Sequence, residues 1–236
     1  MRMQELKSNV ALYCSTSIIL LSLIFLLGCD QQETQPGPEE IPVTPNYEGT
    51  VMAVGDSLTA GLGLVEDEAW PAIVEKKLWE NGHHWQVINA GISGETSSGI
   101  LSRVKWTLAQ KPEIIILETG ANDGFRGIPP SVIRQNISSA VQMFQEENVT
   151  VILAGMQIVQ NLGVNYTQEF ANIFPSVARE YDCLLIPFFL QQVAGTPSLN
   201  QADTIHPNEE GQIIIAETVY PYVLQALQEH RSKRME

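Results

Sequence analysis

Ser57, Asp203 and His206 are the residues of this 236-residue chain whose types and spacing can do chemistry together. A serine hydroxyl is a weak nucleophile near neutral pH, so it attacks a carbonyl only when a base takes its proton. Neutral imidazole suits that task because it titrates near pH ~6.5 when unperturbed. Asp203 stands three residues before His206. From the same turn it can accept the other ring N–H and stabilise the imidazolium. The carbonyl oxygen becomes an oxyanion and needs donors aimed at its tetrahedral position, each worth about 3 kcal/mol. The backbone N–H groups of Ser57 and Gly94 and the side-chain amide of Asn122 are candidates. Each residue also has an ordinary reading. Ser57 suits a helix N-cap, Gly94 a loop position with positive φ, Asn122 an Asn-Asp-Gly turn, Asp203 a turn cap, and His206 the start of a helix. The chemical reading therefore depends on the elements that would bring them to one place.

The apolar run Thr50 to Val54 reads as a buried strand, broken by Gly55-Asp-Ser57, where Gly55 is expected to permit a tight turn. Glu68 to Trp79 has helical spacing with Pro71 in its first turn, and Gly82 stops it. Trp85 to Ala90 alternates as a second strand, followed by a glycine-bearing loop and a helix from Ser98 to Gln110. Glu113 to Thr119 holds the unbroken apolar run Ile114 to Leu117, as expected of a central parallel strand covered on both faces. The turn Gly120-Ala-Asn-Asp-Gly124 follows it, then a helix from Ser131 to Glu147 and a fourth strand, Val149 to Leu153. A helix over Tyr166 to Tyr181 should kink or divide at Pro175. After a fifth strand, Leu184 to Pro187, Asn208 caps a last helix to about Leu227, bent at Pro221.

Strands alternating with helices predict an α/β domain over residues 50–230, three layers α/β/α around a five-stranded parallel sheet. Loops after the strands of such a sheet emerge at one edge, where ligands bind. Ser57, Gly94, Asn122, Asp203 and His206 are all expected there. Phe125, Ile128 and Pro129 beside Asn122, with Ile158 and Leu162 after strand four, are expected to wall an acyl site.

Composition narrows the partners. Against 27 acidic residues stand 13 basic ones, a net charge of −14, which offers no positive surface for nucleic acid. The four histidines lack metal-ligand spacing, so neither metal nor cofactor is expected. Residues 1–28 read as a signal peptide, with Arg2 and Lys7 ahead of an apolar run. Leu26-Leu-Gly-Cys29 resembles the bacterial lipobox, which implies that Cys29 is diacylated and becomes the mature N-terminus. An uncleaved anchor is the alternative, because the run is long enough to cross a bilayer. Both readings put the domain on the periplasmic side of the cell envelope, held at a membrane. Residues 29–49, rich in Pro, Gln and Glu, read as a flexible tether. Cys183 then remains without a partner for an internal disulfide.

The turn at Ser57 is not the α/β-hydrolase elbow, which needs glycine where Thr59 stands. Instead Gly55-Asp-Ser-Leu58, Asn89-Ala-Gly-Ile-Ser-Gly94, Gly120-Ala-Asn-Asp123 and Asp203-Thr-Ile-His206 resemble, in order, the four blocks of the GDSL or SGNH hydrolase family. Ala69-Trp-Pro-Ala72, Ser93-Gly-Glu-Thr-Ser97, Asn122-Asp-Gly-Phe-Arg-Gly127 and Ile186-Pro-Phe-Phe189 resemble its bacterial periplasmic thioesterase, lysophospholipase and arylesterase subgroup. The resemblance covers Thr50 to Leu227. It implies a flavodoxin-like sheet, Ser57 as nucleophile, His206 as base, Asp203 as its partner, and Gly94 and Asn122 with Ser57 in the oxyanion hole. It also implies acyl-ester substrates such as lysophospholipids, short-to-medium acyl esters, thioesters or aryl esters. A monomer is expected. Two other readings stay open: a carbohydrate O-acetyl esterase using the same residues, and a non-catalytic lipoprotein that binds acylated ligands.

Overall fold

The five apolar runs pair as one sheet. In the computed structural model, which describes residues 46–233, β1 is Gly49–Gly55, β2 Trp85–Gly91, β3 Ile114–Glu118, β4 Thr150–Ala154 and β5 Leu184–Ile186. The proposed leader, Cys29 and the tether as far as residue 45 lie outside the described residues. All neighbouring strands are parallel, in the order β2-β1-β3-β4-β5. Every residue of β3 and β4 is buried, which is why neither shows polar alternation.

Seven helices connect and flank these strands among the described residues: α1 Ser57–Ala60, α2 Trp70–Glu80, α3 Ser97–Ala109, α4 Ala121–Phe125, α5 Pro130–Glu146, α6 Val164–Glu180 and α7 Glu209–Lys233. Right-handed crossovers decide their layers. The step from β1 to β2 runs opposite to the later steps, so α2 lies on one face, packed against α7. On the other face α3, α5 and α6 pack side by side. The sheet order reverses between β1 and β3, and the crevice of a doubly wound sheet opens where the order reverses. Ser57 follows the first of those strands and Asn122 the second.

Several local expectations changed. Gly120-Ala-Asn-Asp-Gly124 is not a plain turn, because Gly120 at φ 103° admits the short helix α4. Pro175 does not divide its helix, and Pro221 likewise lies inside the continuous α7. Phe174 and Val177 on α6, and Val219 and Val223 on α7, are buried on both sides of the proline, so packing outweighs the missing hydrogen bond. The domain also begins before Thr50. Glu48 accepts from the Trp85 indole at 3.3 Å and pairs with Arg231 at 2.8 Å, tying the first strand to the end of α7. Asn208 does cap α7, its Oδ1 accepting from Gly211 N–H at 3.0 Å.

Candidate active site

Gly55 is needed for space rather than for an unusual backbone angle. A Cβ there would lie 2.2 Å from Thr59 Oγ1 and 2.5 Å from Glu118 Oε2. Asp56, not Ser57, caps α1, accepting from Leu58 N–H at 2.9 Å. Ser57 is thus the first helical residue, its own N–H unclaimed by the helix and its side chain free to face outward. It remains 9% exposed, enough for a substrate to reach it.

The loop before α7 brings the base. His206 Nε2 lies 3.0 Å from Ser57 Oγ, and His206 Nδ1 lies 2.6 Å from Asp203 Oδ2. Asp203 also performs the turn-capping role, since its Oδ1 accepts from Ile205 N–H at 2.9 Å and His206 N–H at 3.0 Å. The hydrogen bond from the His206 ring, then those backbone donors, hold the Asp203 carboxyl down at about 2. A carboxylate so fixed selects the ring tautomer with hydrogen on Nδ1, leaving Nε2 to receive the serine proton.

Asn122 stands on α4 and lines the same cleft, with its amide donating to Asp56 Oδ2 at 2.8 Å. Gly94, at φ 78°, sits in the loop after β2. Two links join the Gly94 loop to α4. Asp123 accepts from Ser97 N–H at 2.8 Å and from Ser97 Oγ at 2.6 Å, and Arg126 Nη2 donates to Gly94 O at 2.9 Å. A third contact holds the loop from below: Arg103 pairs with Glu95 at 2.7 Å and donates to Ala90 O at 2.7 Å.

The cleft has a volume of about 470 Å³ and runs from Ser57 and His206 past Asn122 to Phe125, Met156, Ile158, Val159 and Leu190. Of the expected wall residues, Phe125 and Ile158 line it. Ile128, Pro129 and Leu162 do not. Ile128 packs on the core with its carbonyl held by Tyr166, Pro129 caps α5, and Leu162 sits exposed in a single 3-10 turn. Sequence reasoning passed over Met156, Val159, Leu190 and Ile205, which complete the wall. Met156 and Val159 directly follow β4 at the ligand edge, and that placement was a usable signal.

A model of the GDSL-like lipase/acylhydrolase family matches residues 53–213. Esterase TesA of Pseudomonas aeruginosa is 40% identical over 173 residues, which cover 73% of this chain and 86% of that protein. The Escherichia coli K12 protein thioesterase 1/protease 1/lysophospholipase L1 is 37% identical over 169 residues, covering 71% of this chain and 80% of that one. Among solved structures, the esterase EstA from Pseudoalteromonas sp., inhibited by monoethylphosphonate, superposes with a TM-score of 0.73 at 33% identity, covering 77% of this chain and 100% of that chain. With the family model spanning residues 53–213 and these relatives 37–40% identical over most of their length, the chain belongs to the GDSL-like lipase/acylhydrolase family.

Proposed function

We propose that the protein is a serine esterase that cleaves acyl esters through an acyl-enzyme. The observation that carries this reading is the contact chain Ser57 Oγ, His206 Nε2, His206 Nδ1, Asp203 Oδ2, with steps of 3.0 Å and 2.6 Å, at the end of an apolar cleft. Ser57 Oγ attacks the acyl carbon as its proton passes to His206 Nε2, and the charge gathers on the former carbonyl oxygen. The Ser57 and Gly94 N–H groups and the Asn122 amide are the donors for that oxygen. The imidazolium then gives its proton to the departing alcohol or thiol. Water, deprotonated by the same imidazole, attacks the acyl-serine and releases the acid, restoring Ser57. A phosphonate, as in the inhibited esterase EstA, is a tetrahedral anion like this intermediate, which supports the same chemistry here.

The substrates proposed are lysophospholipids and short-to-medium acyl, thio or aryl esters. The size and apolar lining of the cleft exceed what an acetyl group needs, which favours them over sugar O-acetyl groups. The intact contact chain likewise speaks against a purely binding role. We further propose that Cys29 carries lipid and holds the domain at a membrane of the cell envelope, because Leu26-Leu-Gly-Cys29 resembles a lipobox. Hydrolysis of p-nitrophenyl esters from acetyl to octanoyl, by the protein and by its Ser57→Ala variant, tests the central reading. The expected result is a loss of about 10⁴-fold or more in kcat for the variant, with the parent favouring the longer esters. Equal rates in the two would remove Ser57 as nucleophile, and a strong preference for acetyl would restore the sugar-ester reading.

A further inference from the structure

Beneath the Ser57 turn lie two carboxyl groups that the acyl-transfer steps do not use. Asp56 and Glu118 are both fully buried, and Glu118 Oε2 accepts from Asp56 N–H at 3.1 Å, which sets the two carboxyl groups close together. Two carboxylates this close, both out of reach of water, repel each other, and a proton on one of them removes the repulsion and lets that one donate to the other. The pair therefore holds a proton.

The remaining partners locate it. Asp56 Oδ1 accepts from Leu58 N–H at 2.9 Å and Oδ2 from Asn122 Nδ2 at 2.8 Å, bonds that favour a charged carboxylate. Burial pushes the Asp56 carboxyl up, and these bonds, with His206 nearby, work against that by favouring its charge. Glu118 Oε2 accepts from Asp56 N–H at 3.1 Å and from the Thr59 hydroxyl at 3.0 Å, while buried Oε1 receives no donor. Oε1 is the atom left to carry hydrogen. Burial, and then the Asp56 charge, push the Glu118 carboxyl well above the usual carboxylate range. Arg103 also faces this turn, its guanidinium reaching Gly55 O at 3.5 Å.

We propose that Glu118 is a neutral carboxylic acid that donates to Asp56, and that through Asp56 it fixes the rotation of the Asn122 amide, making Glu118 a positioning residue of the oxyanion pocket. An asparagine amide has two N–H bonds. Asp56 holds one, and the other is left for the oxyanion in the cleft that Asn122 lines. Were Asp56 protonated instead, it could hold Asn122 less firmly, and the amide could turn its own oxygen toward the developing charge. The proposal rests on the reading of Asn122 as an oxyanion donor.

The full-length protein and four variants test it. Glu118→Gln keeps an acceptor for Asp56 N–H and Thr59 and a neutral donor for Asp56, so kcat should stay within about twofold. Glu118→Leu removes the donor and should lower kcat about 100-fold at unchanged KM. Asn122→Ala should show a similar loss, and the Glu118→Leu/Asn122→Ala double variant little further loss. Infrared spectra at neutral pH should show the carbonyl stretch of a protonated carboxylic acid in the parent and not in Glu118→Gln. Because the unfolded chain ionises Glu118 near its ordinary value of about 4.3, the parent should also lose stability relative to Glu118→Gln as pH rises above that point. A missing infrared band, a constant stability difference, or Glu118→Gln as slow as Glu118→Leu would overturn the proposal. Full activity in Asn122→Ala would instead remove the oxyanion reading, while the spectra still report where the proton is.

Discussion

Asp203 joins two tasks in one carboxylate, orienting the His206 ring through Oδ2 and closing its own turn through Oδ1. Residue type and spacing made both tasks legible in the sequence, and the structure has them operating together rather than as alternatives. A consequence follows for acid conditions. With its carboxyl at about 2 in the folded protein, Asp203 stays ionised above about pH 4, so its protonation should contribute nothing to any loss of kcat/KM above that pH. Stability follows by linkage. The folded state binds this proton less readily than the unfolded chain, whose aspartate titrates near ~3.9. The carboxylate therefore contributes stability above about pH 4 and loses it as pH falls toward 2. Thermal unfolding of the parent and of Asp203→Asn should show a Tm gap that narrows across that window. A gap unchanged down to pH ~2 would show that the carboxylate's bonds are not worth more folded than unfolded.

At the scale of elements, the strands were the most readable part, because continuous burial on β3 and β4 leaves an unbroken apolar run. Two kinds of feature were hidden. One is close approach: the lack of room for a Cβ at Gly55 depends on Thr59 and Glu118, and Glu118 lies 63 residues further along the chain. The other is packing that overrides local preference, as at Pro175 and Pro221. The clamp on the Gly94 loop belongs to the same hidden class, since nothing local pairs Glu95 with a residue one helix later. Arg103 and Glu95 keep 12% and 8% of their side-chain surface, so this is a largely buried ion pair. Removing one partner leaves the other charge stranded, a loss of about 3–5 kcal/mol. Arg103→Met should therefore lower stability in urea unfolding by about that amount. It should also reduce kcat more than it raises KM, because the loop carrying Gly94 loses its hold on Ala90 O. A variant with the parent's stability and kcat would separate the clamp from the oxyanion loop.

For the whole molecule, net charge and the proposed lipid at Cys29 would act in opposite directions at a membrane surface. A chain of net charge −14 gains nothing from the negative surface of a membrane leaflet. The cleft nonetheless opens at the sheet edge where Phe125, Val159 and Ile205 stand exposed around its apolar wall. The proposed diacylation of Cys29 would supply two chains, enough for stable anchoring where one is marginal. Cys29→Ser, expressed from the full sequence in a bacterial host, should move most of the protein from the membrane fraction to the soluble periplasmic fraction. Its kcat on a water-soluble p-nitrophenyl ester should be unchanged, because the substitution leaves the Ser57, His206 and Asp203 contacts in place. Its rate on lysophospholipid presented in vesicles should fall, since the local concentration given by the anchor is lost. If Cys29→Ser stays wholly in the membrane fraction, the apolar run of residues 10–28 is itself the anchor and the lipid attachment is dispensable.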